Sequence, residues 1–141
     1  MRSRFPIAVH LLFIKDEKVL LLRRFNTGYE DGNYSLVAGH VDAGETVTQT
    51  AIREAQEEAG VQIAPENIEV VHVIHRKSND ERIDFFVQVN AWDGEIQNME
   101  PDKCDDLSWF PLADLPANII PYVRFGIENY QKGIFYSEYG W

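Results

Sequence analysis

One helix with clear ends can be located between Thr46 and Gly60. Thr46 and Gln49 have the spacing of a capping box, in which side chains satisfy backbone groups at a helix N-terminus, and glycine commonly follows the last helical residue. Small apolar side chains recur at helical spacing along one face of this segment, namely Val47, Ala51, Ile52 and Ala55. A face of this kind suits packing against a sheet. We therefore expect the rest of the chain to supply one.

Apolar runs on both sides of the helix predict the strands of that sheet. The runs 7–14 and 18–24 flank a charged turn of four residues and predict a hairpin, and 34–38 is a short extended segment that enters a glycine-rich loop at 39–44. Further strands are expected at 70–75, 83–92 and 107–110, and a second amphipathic helix at 121–131. Strands in the majority with two helices predict an α/β fold in which helices cover the faces of a mixed sheet.

Composition and charge narrow the classes of partner. With 141 residues, of which 45% are hydrophobic and 12% aromatic, the chain is expected to form a single domain over 1–141. The formal charge of −10 disfavours nucleic-acid polymers and membrane surfaces. A small polyanion is compatible with this charge if clustered carboxylates hold a divalent metal. The single cysteine, Cys104, excludes an intrachain disulfide and is typical of a reducing compartment, so we expect a cytoplasmic protein.

Three carboxylates are expected to lie on one face of the first helix. Glu54, Glu57 and Glu58 are related by i, i+3 and i+4, and Arg53 lies four residues before Glu57, where it can bridge that residue. Clusters of oxygen ligands without histidine or cysteine suit Mg²⁺ or Mn²⁺. A charged stripe of this kind is also typical of a solvated helix face, and the three carboxylates alone do not decide between the two.

The loop before the helix favours the metal site. Gly39 and Gly44 bracket Asp42, and Glu45 lies at the helix entrance. A flexible turn that exposes backbone carbonyls is thereby aimed at the same end of the helix as the carboxylates. A solvated helix face would require none of these features.

The combined pattern resembles the Nudix box at every fixed position. Gly39 is followed after five residues by Glu45, and after seven more by Arg53 and the run ending at Val61. The box covers 23 of the 141 residues, and the flanking strands and closing helix fall where Nudix hydrolases place theirs. The resemblance implies the Nudix fold, an α/β/α sandwich around a mixed sheet. It also implies hydrolysis of a nucleoside diphosphate linked to some group X, with Mg²⁺ or Mn²⁺ and a nucleoside triphosphate or related small nucleotide as substrate.

The resemblance also implies roles for individual residues. Glu57 and Glu58 would be the principal metal ligands, Glu54 would be a further ligand or the general base, and the backbone carbonyl of Gly39 would also face the metal. Arg53 and Glu45 would orient these groups. Nudix enzymes often recruit another carboxylate from outside the box, and the pattern leaves four candidates open: Glu100, Asp102, Asp105 and Asp106.

The sequence gives weaker evidence for the residues that bind the substrate than for those that bind the metal. Arg24 ends a predicted strand near the place where the family often has an arginine that contacts phosphate, with Arg23 as the alternative. The aromatic and polar residues that could hold a base are Tyr34, Asp84 and Phe86, together with Tyr29. The family usually has Pro-Gly-Gly at the entry to the box, whereas this chain has Val37, Ala38 and Gly39, a departure that affects substrate fit more than catalysis.

Two further alternatives stay open at the level of sequence. A Nudix fold can serve as a nucleotide-binding or regulatory module that does not cleave its ligand, although such a module would be free to lose the glutamates that are present here. An aromatic tail at 135–141 could pack against a second subunit, forming a homodimer, or against its own core.

Overall fold

The computed structural model describes residues 2–141 and contains one mixed eight-stranded sheet with two α-helices. The elements in chain order are β1 (Ile7–Lys15), β2 (Lys18–Arg24), β3 (Tyr34–Ser35), β4 (Val37–His40), α1 (Val47–Ala59), a 3₁₀ turn (Pro65–Asn67), β5 (Ile68–Lys77), β6 (Glu81–Val89), β7 (Cys104–Pro111), α2 (Pro121–Gln131) and β8 (Tyr136–Tyr139). The α/β fold expected from the sequence is confirmed.

The sheet has the order β3-β2-β1-β6-β5-β8, and β4 and β7 are attached to β1 and β2. β1 is parallel to β6 and antiparallel to β4, so the sheet is mixed at its centre. Successive side chains of β1 face opposite sides. Val9 and Leu11 pack in the core beneath α1, and Leu12 packs with Val123 and Ile127 of α2. The two helices therefore cover opposite faces, which is the expected sandwich.

The ends of α1 are as predicted. Thr46 is the N-cap and forms a capping box with Gln49, and Gly60 closes the helix with φ +69°, in the left-handed region that favours glycine. Ala51 and Ala55 are fully buried against the sheet. Local signals thus specify both the length and the orientation of the helix that carries the acidic residues.

The hairpin prediction is correct only at its tip. β1 and β2 pair at Ile14 with Val19 and at Lys15 with Lys18, around a turn of two residues with positive φ, Asp16 and Glu17, where four were expected. Beyond the tip the strands diverge, because β1 finds partners in β4 and β6 while β2 finds them in β3 and β7.

Two segments differ from the prediction near the chain's centre and end. Gly39 and His40 belong to β4 and not to a loop, because Val9 and Ala8 of β1 pair with them. The expected aromatic tail instead forms β8, a parallel edge strand on β5. Trp141 donates a hydrogen bond from Nε1 to the His75 carbonyl (2.9 Å), so the tail packs on its own sheet. No helix within residues 2–141 is both long and apolar enough to cross a bilayer.

Candidate active site

The three glutamates of α1 do not share one environment. Glu54 is 8% exposed and lies against β4, whereas the side chain of Glu57 is 54% exposed. A Cβ atom at Gly39 would overlap the Glu54 carboxylate, so only glycine allows the β4 backbone to approach so closely. Glu54 and Glu58, one helical turn apart, therefore face the strand, and Glu57 lies at the solvent edge of the helix.

Glu58 carries the strongest electrostatic perturbation at the site. Burial raises the pKa of Glu58 well above its usual value, and a hydrogen bond with Glu54 and the charges of Glu54 and Glu100 raise it further. The backbone N–H of Ala38 opposes this shift without cancelling it. Three carboxyl groups thus lie close together, and the protonated form of Glu58 is favoured more than in an ordinary glutamate.

The segment between β6 and β7 brings Glu100 to this cluster. Gln97 donates its backbone N–H to the Ala59 carbonyl (2.9 Å) and Met99 donates to the Glu58 carbonyl (3.3 Å), so the segment docks on the C-terminal end of α1. Glu100 and Glu58 then line the same pocket. This placement singles out Glu100 among the four acidic candidates outside the box.

The other three acidic candidates have different surroundings. Asp105 accepts a hydrogen bond from Arg23 (2.7 Å), and Asp106 accepts hydrogen bonds from Tyr34 (2.5 Å) and Ser108 (2.6 Å). Asp102 is exposed. None of the three lines the pocket that contains Glu58.

Arg53 is the cation that organises the helix and the preceding loop. Its Nε donates to Glu45 (2.8 Å), Nη1 to Glu54 (2.6 Å), and Nη2 to the His40 carbonyl (3.1 Å). The bridge to Glu57 expected from i, i+4 spacing is present but longer, at 3.4 Å. Hydrogen bonds from Arg53 and from the Asp42 backbone lower the pKa of Glu45 to about 2. Arg53 and Glu45 therefore fasten the loop at 41–45 to α1.

The donor set fits a hard divalent cation. Within residues 2–141, no three Asp, Glu, His or Cys side chains already converge as a preformed ion site. Glu58 nonetheless lies beside the carboxyl groups of Glu54 and Glu100, and Arg53 reaches only Glu54 among these three. Carboxylate and carbonyl oxygens are the ligands that Mg²⁺ and Mn²⁺ prefer.

A pocket of about 620 Å³ opens beside the acidic cluster. Its lining includes Gly39, Glu58 and Glu100, and also Arg24 and Lys103. Acidic and basic side chains thus line one pocket, which is the arrangement needed to hold a cation together with a phosphate group.

Arg24 is held in place by the loop at 26–33. Its Nε donates to the Tyr29 carbonyl (2.6 Å), Nη2 donates to Thr27 Oγ1 (3.0 Å), and the guanidinium lies over the Tyr29 ring at 5.2 Å. Asp31 in turn accepts hydrogen bonds from the backbone of Thr27 and Gly28. Arg24 and Tyr29 both line the pocket, as expected of residues that contact substrate.

Four other residues named from the sequence do not line the pocket. Arg23 pairs with Asp105, and the Tyr34 ring is buried against Phe110. Phe86 and Asp84 are fully buried, Phe86 in the core beside α2 and Asp84 in an ion pair with Arg76 (2.7 Å). The Phe86 ring therefore has no face free to stack on a base.

The pocket lining also includes residues that sequence reasoning missed. His10, Arg76, Arg82 and Tyr122 line it, and the Arg76 guanidinium lies 3.6 Å from the centre of the Tyr122 ring. These residues come from β1, β5, β6 and the start of α2, so no local motif connects them. The one available signal was a histidine in the middle of the apolar run of β1.

Comparison with known proteins matches this architecture. A family model described as a NUDIX domain matches residues 4–128. A MutT NUDIX hydrolase from Burkholderia pseudomallei has a crystal structure that superposes with a TM-score of 0.81 at 26% identity, covering 89% of this chain and 98% of that one.

Two curated relatives are similar in sequence. The NAD-capped RNA hydrolase NudC of Pseudomonas aeruginosa is 35% identical over 114 residues, covering 80% of this chain, and the chain spans only 38% of its length. The ADP-ribose pyrophosphatase of Methanocaldococcus jannaschii is 30% identical over 129 residues, covering 89% of this chain and 73% of the relative.

The raised pKa of Glu58 predicts an unusual stability change in Glu58→Gln. A carboxyl whose pKa is higher in the folded state destabilises the fold as pH rises above the unfolded value, and glutamine removes this effect. In chelator, the variant should therefore unfold at a higher temperature than the wild type, and the difference should grow from pH 4 to pH 8. Thermal denaturation at several pH values measures this difference.

The exposed position Glu128→Gln on α2 is the matched control and should change Tm little at any pH. If Glu58→Gln is less stable than the wild type at pH 8 in chelator, the buried carboxyl is not under electrostatic stress.

Proposed function

We propose that this chain, which belongs to the Nudix family, is a metal-dependent hydrolase that cleaves a phosphoanhydride bond in a nucleoside diphosphate linked to X. The substrate class we infer is a nucleoside triphosphate or a related small nucleotide. The observation that carries the proposal is the acidic cluster of Glu54, Glu58 and Glu100, of which Glu58 and Glu100 line a pocket that Arg24 also lines.

The cation would be Mg²⁺ or Mn²⁺, held by Glu54, Glu57 and Glu58 together with the Gly39 carbonyl. When bound, such a cation neutralises phosphate charge and lowers the pKa of a water molecule. Glu57 is the exposed member of the set and is free to turn inward from its 3.4 Å contact with Arg53. Glu100 is the further carboxylate that the fold adds to the residues of the box.

The surrounding residues keep the carboxylates in place before substrate arrives. Arg53 neutralises Glu54 and Glu45, and Glu45 also accepts a hydrogen bond from Thr50 (2.9 Å). These contacts fix the position of the loop at 41–45 relative to α1. Groups held in this way need little reorganisation when charge develops on the reacting phosphate.

Arg24 is proposed to bind a phosphate of the substrate. Its guanidinium lines the pocket that Lys103 also lines, and a planar fork of donors suits phosphate oxygens. Lys103 supplies a second positive charge near Glu100, at 4.0 Å from that carboxylate. Together they offset the acidity of the chain where an anion must enter.

The identity of X would depend on the remaining residues that line the pocket. Curated relatives are named for ADP-ribose and for NAD-capped RNA, so substrates differ within the family. The formal charge of −10 opposes a nucleic-acid polymer, and the proposal is for a small nucleotide. A screen of nucleoside triphosphates and nucleoside diphosphate conjugates, with release of phosphate or nucleotide as readout, identifies the substrate.

The metal-site assignment predicts the effect of Glu57→Gln and Glu58→Gln on turnover. Each substitution removes a carboxylate while keeping its volume, so kcat on the substrate found by the screen should fall by roughly 10² to 10⁴. Excess chelator should abolish wild-type activity and added Mg²⁺ should restore it. Steady-state kinetics and circular dichroism together separate lost chemistry from lost folding.

Glu128→Gln, exposed on α2 and remote from the pocket, is the control and should keep wild-type turnover. Turnover within about threefold of wild type in both variants would reject the assignment. A chain that binds nucleotides without cleaving any of them would instead be a binding module.

The two neighbouring arginines provide a second test. Arg24→Ala should raise KM about 10- to 100-fold, because a charge-assisted contact to phosphate is lost, whereas Arg23→Ala should change KM only slightly, since Arg23 pairs with Asp105 outside the pocket. Thr27→Val removes one hydrogen bond that holds Arg24 and controls for loosening of the loop. Equal KM values in Arg24→Ala and Arg23→Ala would remove Arg24 from the substrate site.

A further inference from the structure

His10 is a buried side chain with one ring nitrogen that has no partner. It is 2% exposed and lines the pocket, yet its Nδ1 forms no hydrogen bond. Within residues 2–141 it is the only buried side-chain nitrogen or oxygen in this condition. Buried polar atoms are almost always paired in folded proteins, so an unpaired one that borders a pocket points to a ligand.

The contacts of the other ring nitrogen, Nε2, show which nitrogen of His10 carries a hydrogen. Nε2 lies 2.9 Å from Asp84 Oδ1, and Asp84 also accepts a hydrogen bond from Arg76 Nε at 2.7 Å. Burial alone would raise the pKa of Asp84, but the hydrogen bonds from His10 and Arg76 and the charge of Arg76 outweigh it and lower that pKa. An ionised carboxylate only accepts hydrogen bonds, so Nε2 carries a hydrogen and donates it to Asp84, and Nδ1 is the ring nitrogen left for a ligand.

The His10 ring is packed so that it cannot rotate to give Nδ1 a hydrogen-bond partner. Phe86 stacks on it with centroids 4.8 Å apart and an interplanar angle of 20°, and Tyr122 approaches edge-on at 5.6 Å. A half-turn of the ring would also move Nε2 away from Asp84. The acceptor is thus held in one direction before any ligand binds.

His10 lies close to the acidic cluster. His10 pairs across the strands with Ala38, whose backbone N–H is a hydrogen-bond partner of Glu58, and Gly39 is the next residue. Tyr122, Arg76 and Arg82 line the same pocket. A ligand whose phosphates lie at Glu58 would therefore place its nucleoside half beside His10.

We propose that His10 Nδ1 is a specificity-determining acceptor, which receives a hydrogen bond from a neutral N–H or O–H donor on the nucleoside half of the ligand. This inference rests on the proposed function only for the class of ligand. The donor is an amine of the base or a hydroxyl of the sugar, and both present the same chemistry to Nδ1. Nucleosides that carry the donor are bound in preference to those that lack it, because the acceptor is otherwise left unpaired.

The test measures binding of nucleoside monophosphates, which contain no anhydride bond, by calorimetry in chelator. Three pairs differ by one donor: AMP and purine riboside monophosphate, GMP and IMP, and AMP and dAMP. The first two pairs test an amine of the base and the third tests the sugar. We expect the wild type to prefer the donor-bearing member of at least one pair by about tenfold in Kd.

Two substitutions separate the role of His10 Nδ1 from that of the hydrogen bond between Nε2 and Asp84. His10→Gln keeps an N–H near the position of Nε2, toward Asp84, but removes the acceptor, and should reduce the preference to within about threefold. His10→Asn places an amide near the position of Nδ1 but loses the contact with Asp84, and should keep part of the preference in a less stable protein. Circular dichroism confirms that each variant is folded.

His72→Gln is the matched control. His72 is also fully buried in β5, but both of its nitrogens are paired, with the Ile134 carbonyl (2.7 Å) and with Ser137 Oγ (2.8 Å), and it does not line the pocket. This variant should lose stability and keep the nucleotide preference of the wild type.

The inference is overturned if the wild type does not distinguish the members of any pair, absence of binding included, or if His10→Gln retains the preference. Failure of the proposed function is a separate result. Preference lost in His10→Gln, in a chain that cleaves no anhydride, would reject hydrolysis and leave His10 as the specificity residue of a binding module.

Discussion

The close approach of the β4 backbone to α1 is the constraint on which the site depends. Gly39 lies directly on the carboxylate of Glu54, and no side chain can be accommodated between them. This contact buries Glu54, Glu58 lies one turn further along α1, and docking of the segment before β7 adds Glu100. The fold thereby brings three carboxyl groups close together, which raises the pKa of Glu58.

Arg53 forms ion pairs with some of these carboxylates and not with others. It contacts Glu45 and Glu54 at 2.8 and 2.6 Å and so ties the loop to the helix, but it does not reach Glu58. Glu45 and Glu54 are therefore paired with a cation, whereas Glu58 is not. Arg53 and Glu45, which fasten the loop, are thus distinct from Glu58, which is proposed to hold the ion, although all of them belong to the same short stretch of sequence.

Local patterns were sufficient to predict α1 and its caps, because capping residues act within a few positions, but they did not distinguish the buried Glu54 from the exposed Glu57. Arg24, named from the sequence, lines the pocket, whereas the burial of Phe86 and Asp84 could not be predicted because their surroundings come from distant strands. His10 and Asp84 are 74 residues apart in sequence and become neighbours only because β1 and β6 are parallel. The β8 strand escaped prediction because a four-residue edge strand has too little sequence to show a period.

The central proposal, that a divalent cation competes with a proton at Glu58, is tested most directly by calorimetric titration of Mn²⁺ into the protein at several pH values. Repeating the titration in buffers of different ionisation enthalpy gives the number of protons released. The account predicts proton release on binding to the wild type, and weaker binding by at least about tenfold without that release in Glu58→Gln. Equal affinity and equal proton release in the two proteins would contradict it.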